Sequence, residues 1–139
     1  MDGASCIFCR IVKKEKDAYI VYEDGEILAF LDAYPISEGH TLVIPKKHYS
    51  GILDIPEETA GRAMAVAKKL ALEYSTKLNA FEFNIMQSSG EEAGQTVFHF
   101  HIHVVPRRKG DNLSLWLHKN EKSAVDTKTV YKKLGKEKA

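Results

Sequence analysis

Gly94-Gln95-Thr96-Val97-Phe98-His99-Phe100-His101-Ile102-His103-Val104-Val105-Pro106 is the stretch from which the fold is read. Apolar residues interleave with His99, His101 and His103, and this period of two, filled with β-branched and aromatic side chains, predicts a strand. Side chains two apart share a face of a strand, so the three imidazoles form one row with about 7 Å between neighbours. Three polar rings on one face each need a partner, which makes the row hard to explain as core packing. Histidine titrates near neutrality and suits nucleophilic and acid–base chemistry, and such a row can surround one phosphoryl-sized group or bind metal.

The rest of the chain supplies a small sheet for this strand. Tyr19 to Glu23 and Glu26 to Asp32 are apolar runs separated by Asp24-Gly25, the sequence of a type I′ hairpin turn. His40 to Pro45 reads as a third strand closed by proline, after a loop from Tyr34 to Gly39. Phe81, Phe83, Ile85 and Gln87 alternate with polar residues and Met86 in a fourth strand, followed by a turn-rich loop from Gln87 to Gly94. Glu57 to Lys77 is the one long helix. Asp54 and Glu57 resemble a capping box before it, and Ala60, Met64, Ala67, Leu70 or Ala71, Tyr74 and Leu78 form its apolar stripe. Short helices are expected after Cys6, on Ile7, Phe8, Ile11 and Val12, and over Asp126 to Lys136 with Val130, Tyr131 and Leu134 inward. The fold class expected is α+β, a five-stranded antiparallel sheet with one long helix and short terminal helices.

At 139 residues the chain has room for one domain, here 1–139, with a core at about 5–109 and a C-terminal tail at 110–139. A net charge of +1 gives no electrostatic footing for nucleic acid or a membrane surface. No apolar run approaches about 18 residues, and the N-terminus does not read as a signal peptide, so a cytoplasmic protein is expected. Arg107, Arg108 and Lys109 read as a solvated turn.

Cys6-x-x-Cys9 is the only cysteine pair, and in a cytosolic protein this spacing points to metal or redox chemistry rather than a structural disulfide. A thioredoxin-like site wants a preceding strand, which is missing. Two thiolates need two further ligands to close a tetrahedral zinc shell, and His48 and His99 are the candidates.

His99-Phe100-His101-Ile102-His103-Val104-Val105, its Gly94-Gln95-Thr96-Val97 lead-in, the upstream Gly39-His40-Thr41-Leu42-Val43-Ile44-Pro45 and the opening Cys6-Ile7-Phe8-Cys9 together resemble the histidine triad (HIT) superfamily of nucleotide hydrolases and transferases. The pattern is most similar to its prokaryotic zinc-binding Cys-x-x-Cys branch, and it covers about residues 5–109. The resemblance implies a structural zinc on Cys6, Cys9, His48 and His99, with no catalytic metal. It also implies a purine nucleotide whose base sits among Ile7, Phe8, Ile11, Phe30 and Leu42, and whose ribose hydroxyls bond Asp32. Gln87 and Gly94 of the loop, with Gln95 and Thr96, take places at the phosphate, and His40 supports the triad. Homodimers are common in the family, and the unusual Trp116 of the tail is expected to shape substrate access or the dimer contact.

The chemistry expected is attack by His101 on an α-phosphorus to give a nucleotidyl-histidine that water hydrolyses, with His103 serving the phosphoryl oxygens or leaving group. Substrates of this kind are nucleoside phosphoramidates, aminoacyl adenylates and dinucleoside polyphosphates, releasing AMP or GMP. Such an attack needs another group to hold the second ring N–H of His101, and the sequence does not identify it. Three alternatives stay open: transfer to a phosphate acceptor, a non-catalytic nucleotide-binding regulator, and a hydrolase with catalytic zinc on His99, His101 and His103.

Overall fold

The computed structural model describes residues 5–115 and 124–136, so Trp116 and its expected part in substrate access lie outside the described residues. The elements run α1 (Ile7–Val12), β1 (Ile20–Glu23), β2 (Ile27–Leu31), β3 (Thr41–Pro45), α2 (Glu57–Lys77), β4 (Glu82–Gln87), β5 (Ile102–Arg107) and α3 (Thr127–Lys133). The strands form one sheet in the order β1-β2-β3-β5-β4, and every neighbouring pair is antiparallel.

Register assigns each side chain to a face. Phe30 pairs with Leu42, Leu42 with His103 and His103 with Met86, so these four lie across one face. There Leu28, Phe30, Leu42 and Ile44 pack beneath Cys6, Phe8, Cys9 and Ile11 at α1. The opposite face presents Ile27, Ala29, Val43, Ile102 and Val104 to Ala63, Val66, Ala67, Leu70 and Tyr74 of α2. The buried stripe of α2 is thus turned slightly from the one expected: Ala63 and Val66 are inside, and Met64 is half exposed. Tyr74 also fastens the helix to β3 through a 2.6 Å contact between its hydroxyl and Thr41 Oγ1.

Several local expectations are corrected. Neither Asp24 nor Gly25 has positive φ, so the hairpin turn is not type I′. Instead Asp24 Oδ1 accepts the amides of Glu26 and Ile27, both at 2.8 Å, and Oδ2 accepts Tyr22 Oη and Arg62 Nη2. Partial burial opposes ionisation of this carboxyl, but those hydrogen bonds hold its pKa down to about 2. Asp54 makes no capping box: Pro56 is the N-cap of α2, while Asp54 accepts the amides of Ser50 and Gly51 and ties the preceding turn. Phe81 precedes β4 and is exposed. Arg107 and Arg108 are engaged rather than solvated. Arg107 bonds Asp111, Asn84 and the Leu113 carbonyl, and Arg108 bonds Glu38 and the Leu78 carbonyl. Asp126 caps α3, but Val130 and Leu134 are exposed rather than inward, and the helix has no buried residue.

The largest correction concerns the opening stretch. Only Ile102–Arg107 joins the sheet, and residues 97–101 carry no strand pairing. The Phe100 amide donates instead to the Tyr49 carbonyl at 2.6 Å, a partner outside the ladder. The three histidines therefore leave the even row that a straight strand would give.

Candidate active site and metal centre

A cleft of about 1090 Å³ opens on the α1 side of the sheet. Ile7, Phe8, Ile11, Phe30 and Leu42 give it apolar lining, with Phe8 and Phe30 edge to face at 5.4 Å between centroids. Asp32, His40, His101 and His103 line the same cleft, as do Gly94, Gln95 and Thr96, and the Phe8 ring meets His101 edge to face at 5.3 Å. All the proposed nucleotide contacts except Gln87 thus meet in one cavity. Gln87 turns its side chain to Ser88 and Ser89 instead, and its neighbours Met86 and Ser88 line the wall. Met86 could have been found from sequence by register, since it lies opposite His103. Val97, Tyr34 and Ile36 also line the cleft and carried no such signal.

The backbone fixes the ring states. His101 Nδ1 is 2.8 Å from the His99 carbonyl, an acceptor only, so Nδ1 carries the proton and Nε2 keeps its lone pair. On His40 the order is reversed: the Ile36 amide donates to Nδ1 at 3.2 Å, which puts the proton of the neutral ring on Nε2. That N–H faces His103 Nδ1 at 2.9 Å, with Asp32 Oδ2 at 3.4 Å as a second acceptor. His103 accepts at Nδ1 and so carries its proton on Nε2. Burial lowers the pKa of His101, of His40, and of His103 to about 4, the last aided by the neighbouring His101 and His40. All three rings are neutral near pH 7.

Gln95 is buried and its side chain is fully committed. Oε1 accepts the Gly90 amide at 2.7 Å, and Nε2 donates to the carbonyls of Ser50 and Val97. Gly94, at φ 92°, closes the short 3-10 turn before it in a conformation that suits glycine. Thr96 is exposed on the cleft wall.

The first histidine of the row belongs to a different site. His99 Nδ1 lies 3.4 Å from Cys6 Sγ and 3.5 Å from Cys9 Sγ, and His48 Nδ1 lies 3.4 Å from Cys9 Sγ and 3.2 Å from His99 Nδ1. A tetrahedral zinc with bonds of about 2.3 Å to sulfur and 2.0 Å to nitrogen sets S···N edges near 3.5 Å and N···N edges near 3.3 Å. The four donors fit that frame. His99 Nε2 donates to the Pro45 carbonyl at 2.7 Å, which leaves Nδ1 as a lone pair for a metal. Burial pushes the Cys9 thiol up to about 11, and Cys6 adds to the shift, so a cation is what this pair needs to ionise. The position of His99 removes the catalytic-zinc alternative on His99, His101 and His103, because both nitrogens of the first ring face away from the cleft. Asp32, His40 and His103 also approach one another, but the proton on His40 Nε2 makes them a hydrogen-bond chain rather than a ligand set.

Comparison with known proteins follows the same pattern. A family model described as HIT domain matches residues 13–110. An uncharacterized HIT-like protein of Borreliella burgdorferi is 46% identical over 108 residues, covering 76% of this chain and 78% of that one. The crystal structure of a zinc-bound histidine triad family protein from Mycobacterium smegmatis has 45% identity and a TM-score of 0.78, covering 82% of this chain and 83% of that one. A HIT family hydrolase from Legionella pneumophila has 35% identity and a TM-score of 0.69 over 76% of this chain and 95% of that one.

Proposed function

This chain belongs to the HIT domain family, and on that footing we propose that it is a nucleotide hydrolase acting at the α-phosphate of a purine nucleotide. The leaving group is the amine of a phosphoramidate, the carboxylate of an acyl adenylate, or the remaining phosphorylated nucleoside of a dinucleoside polyphosphate. The single observation that carries the reading is the bond from His101 Nδ1 to the His99 carbonyl. It leaves a neutral ring with a free Nε2 lone pair in a cleft lined by both apolar and hydrogen-bonding side chains.

The base rests between Phe8, Ile11, Phe30 and Leu42, and Asp32 accepts the ribose hydroxyls. Asp32 Oδ1 already receives the Tyr34 amide at 2.8 Å, which holds the carboxylate in place while leaving lone pairs for the sugar. His101 Nε2 attacks phosphorus, the P–Nε2 bond forms, and the bond to the leaving group breaks as an amine leaving group takes up a proton from solvent. The adduct is a phosphorylated imidazolium that still carries its Nδ1 proton, and the His99 carbonyl stabilises it. Water then attacks phosphorus from the vacated side and gives up a proton to solvent, the P–Nε2 bond breaks, and the nucleoside monophosphate leaves. His103 Nε2–H donates to a phosphoryl oxygen in both steps, and His40 keeps that tautomer in place. Gln95 serves as the brace of the phosphate loop, and the Thr96 hydroxyl, exposed on the cleft wall, is assigned to the leaving-group side.

The Cys6, Cys9, His48 and His99 set would hold zinc, which when bound supplies a closed structural cross-link between α1 and the segment before β5. The protein works as a homodimer in the cytoplasm on this reading. AMP release from adenosine 5′-phosphoramidate and from diadenosine tetraphosphate, by wild type and His101→Ala, tests the function. Release from either substrate that disappears in the variant supports it, and release that persists at the wild-type rate contradicts it.

A further inference from the structure

The nucleophile sits on a segment that the sheet does not hold. Residues 97–101 lie outside β5, so strand pairing begins only at Ile102 and does not by itself set the direction of the His101 ring. The neighbouring segment His48-Tyr49-Ser50 holds it instead, His48 and Tyr49 directly and Ser50 through Gln95, whose Nε2 also donates to the Val97 carbonyl. His48 Nδ1 meets His99 Nδ1 at 3.2 Å and Cys9 Sγ at 3.4 Å. The Tyr49 carbonyl accepts the Phe100 amide at 2.6 Å, between the metal-facing histidine and the nucleophile. The Ser50 carbonyl accepts Gln95 Nε2 at 2.7 Å, and Gln95 Oε1 in turn holds the Gly90 amide of the phosphate loop.

Beyond Ser50 the same run is locked from behind. Asp54 accepts the amides of Ser50 and Gly51, and the Ile52 amide donates to Ser89 Oγ in the phosphate loop at 2.8 Å. A Cβ on Gly51 would stand 2.9 Å from that same Ser89 oxygen, so the two loops are in direct contact. The four-donor cluster is the end of this clamp nearest the reacting atoms, because the His99 carbonyl is the acceptor for His101 Nδ1–H.

We propose that His48 is a positioning residue for the transfer step: by joining His99 in the four-donor cluster it aims the His99 carbonyl at the nucleophile and anchors the strip that carries Gln95. The metal site, on this account, sets reacting geometry as well as fastening α1. The proposal rests on the nucleotidyl-transfer reading for its kinetic consequence, but its geometric consequence can be read in the absence of turnover.

The test compares metal-loaded wild type, His48→Ala and His48→Cys, the last restoring four donors as Cys3His. Nitrogen-15 spectra of the histidine rings report whether His101 Nδ1 stays protonated and slow to exchange. AMP affinity, kcat, KM and thermal unfolding are measured on the same samples, at a temperature where circular dichroism shows all three folded. In His48→Ala the His101 Nδ1–H signal should broaden or vanish and kcat should fall by about tenfold or more, since a small misplacement of a reacting group costs rate steeply. AMP affinity and KM should stay within about threefold, marking a loss confined to the transition state. His48→Cys should recover both signal and kcat. A His48→Ala protein that melts lower but keeps the His101 signal and wild-type kcat overturns the proposal and leaves the cluster a staple. Parallel loss of AMP affinity and kcat overturns it too. If wild type cleaves neither substrate, the functional reading fails alone, and the ring signal still decides the geometry.

Discussion

His101 donates its Nδ1 proton to the main-chain oxygen of His99 at 2.8 Å, while the His99 ring turns the other way into a cluster with Cys6, Cys9 and His48. Neighbouring histidines of one short motif therefore serve two sites, joined by a single carbonyl group.

Replacing the nucleophile separates binding from chemistry. His101→Ala is expected to lose nearly all turnover while its AMP affinity, followed by calorimetry, stays within about tenfold or 1.4 kcal/mol of wild type. The proposed base and ribose contacts lie on other residues, so affinity should survive.

Asp32 should report through the sugar. Asp32→Ala is expected to weaken AMP by about tenfold, the scale of a charge-assisted hydrogen bond. Removing the ribose 2′-hydroxyl should weaken wild type but cost the variant little more, and a double-mutant cycle reads that coupling. Independent, additive losses would move the ribose elsewhere.

Metal removal should act on stability. Chelation, or Cys9→Ser, is expected to lower the melting temperature by on the order of 10 °C, since a closed metal site contributes directly to folding free energy. Metal analysis should return one zinc per chain in wild type. A chelated protein with unchanged melting would remove the site from the account.

Acid should weaken the fold through the buried rings. His103 has its folded pKa lowered from 6.5 to about 4, so between those values the unfolded chain binds more protons than the folded one. Stability from this ring is fully present above pH 6.5 and is lost as pH falls toward 4. His101 shifts in the same direction and adds to the slope. Urea unfolding across pH 7 to 4.5 measures it, and His103→Gln should flatten the curve.

The parts of this architecture set by local pattern were legible in the chain. The span of α2, Glu57–Lys77, follows from its apolar repeats, and α1 from the run after Cys6. The metal donors and most cleft residues came from motif order. What escaped depends on distant partners. Period two in Val97 to Val105 predicts one strand, yet the Tyr49 carbonyl takes the Phe100 amide out of the ladder. Asp24-Gly25 fits a type I′ turn, yet Asp24 Oδ1 accepts the Glu26 and Ile27 amides while Arg62, on α2, bonds its other oxygen. Gln87 was placed at the nucleotide because it begins the right loop, but Ser89, fixed by Ile52, draws its side chain aside.

The most direct test of the covalent account is the stereochemical course at phosphorus, followed with a substrate made chiral at the α-phosphate and hydrolysed in isotopically labelled water. Two in-line displacements through His101 invert the centre twice, and the account predicts net retention. Net inversion would mean that water attacks the substrate directly, and His101 would not be the nucleophile.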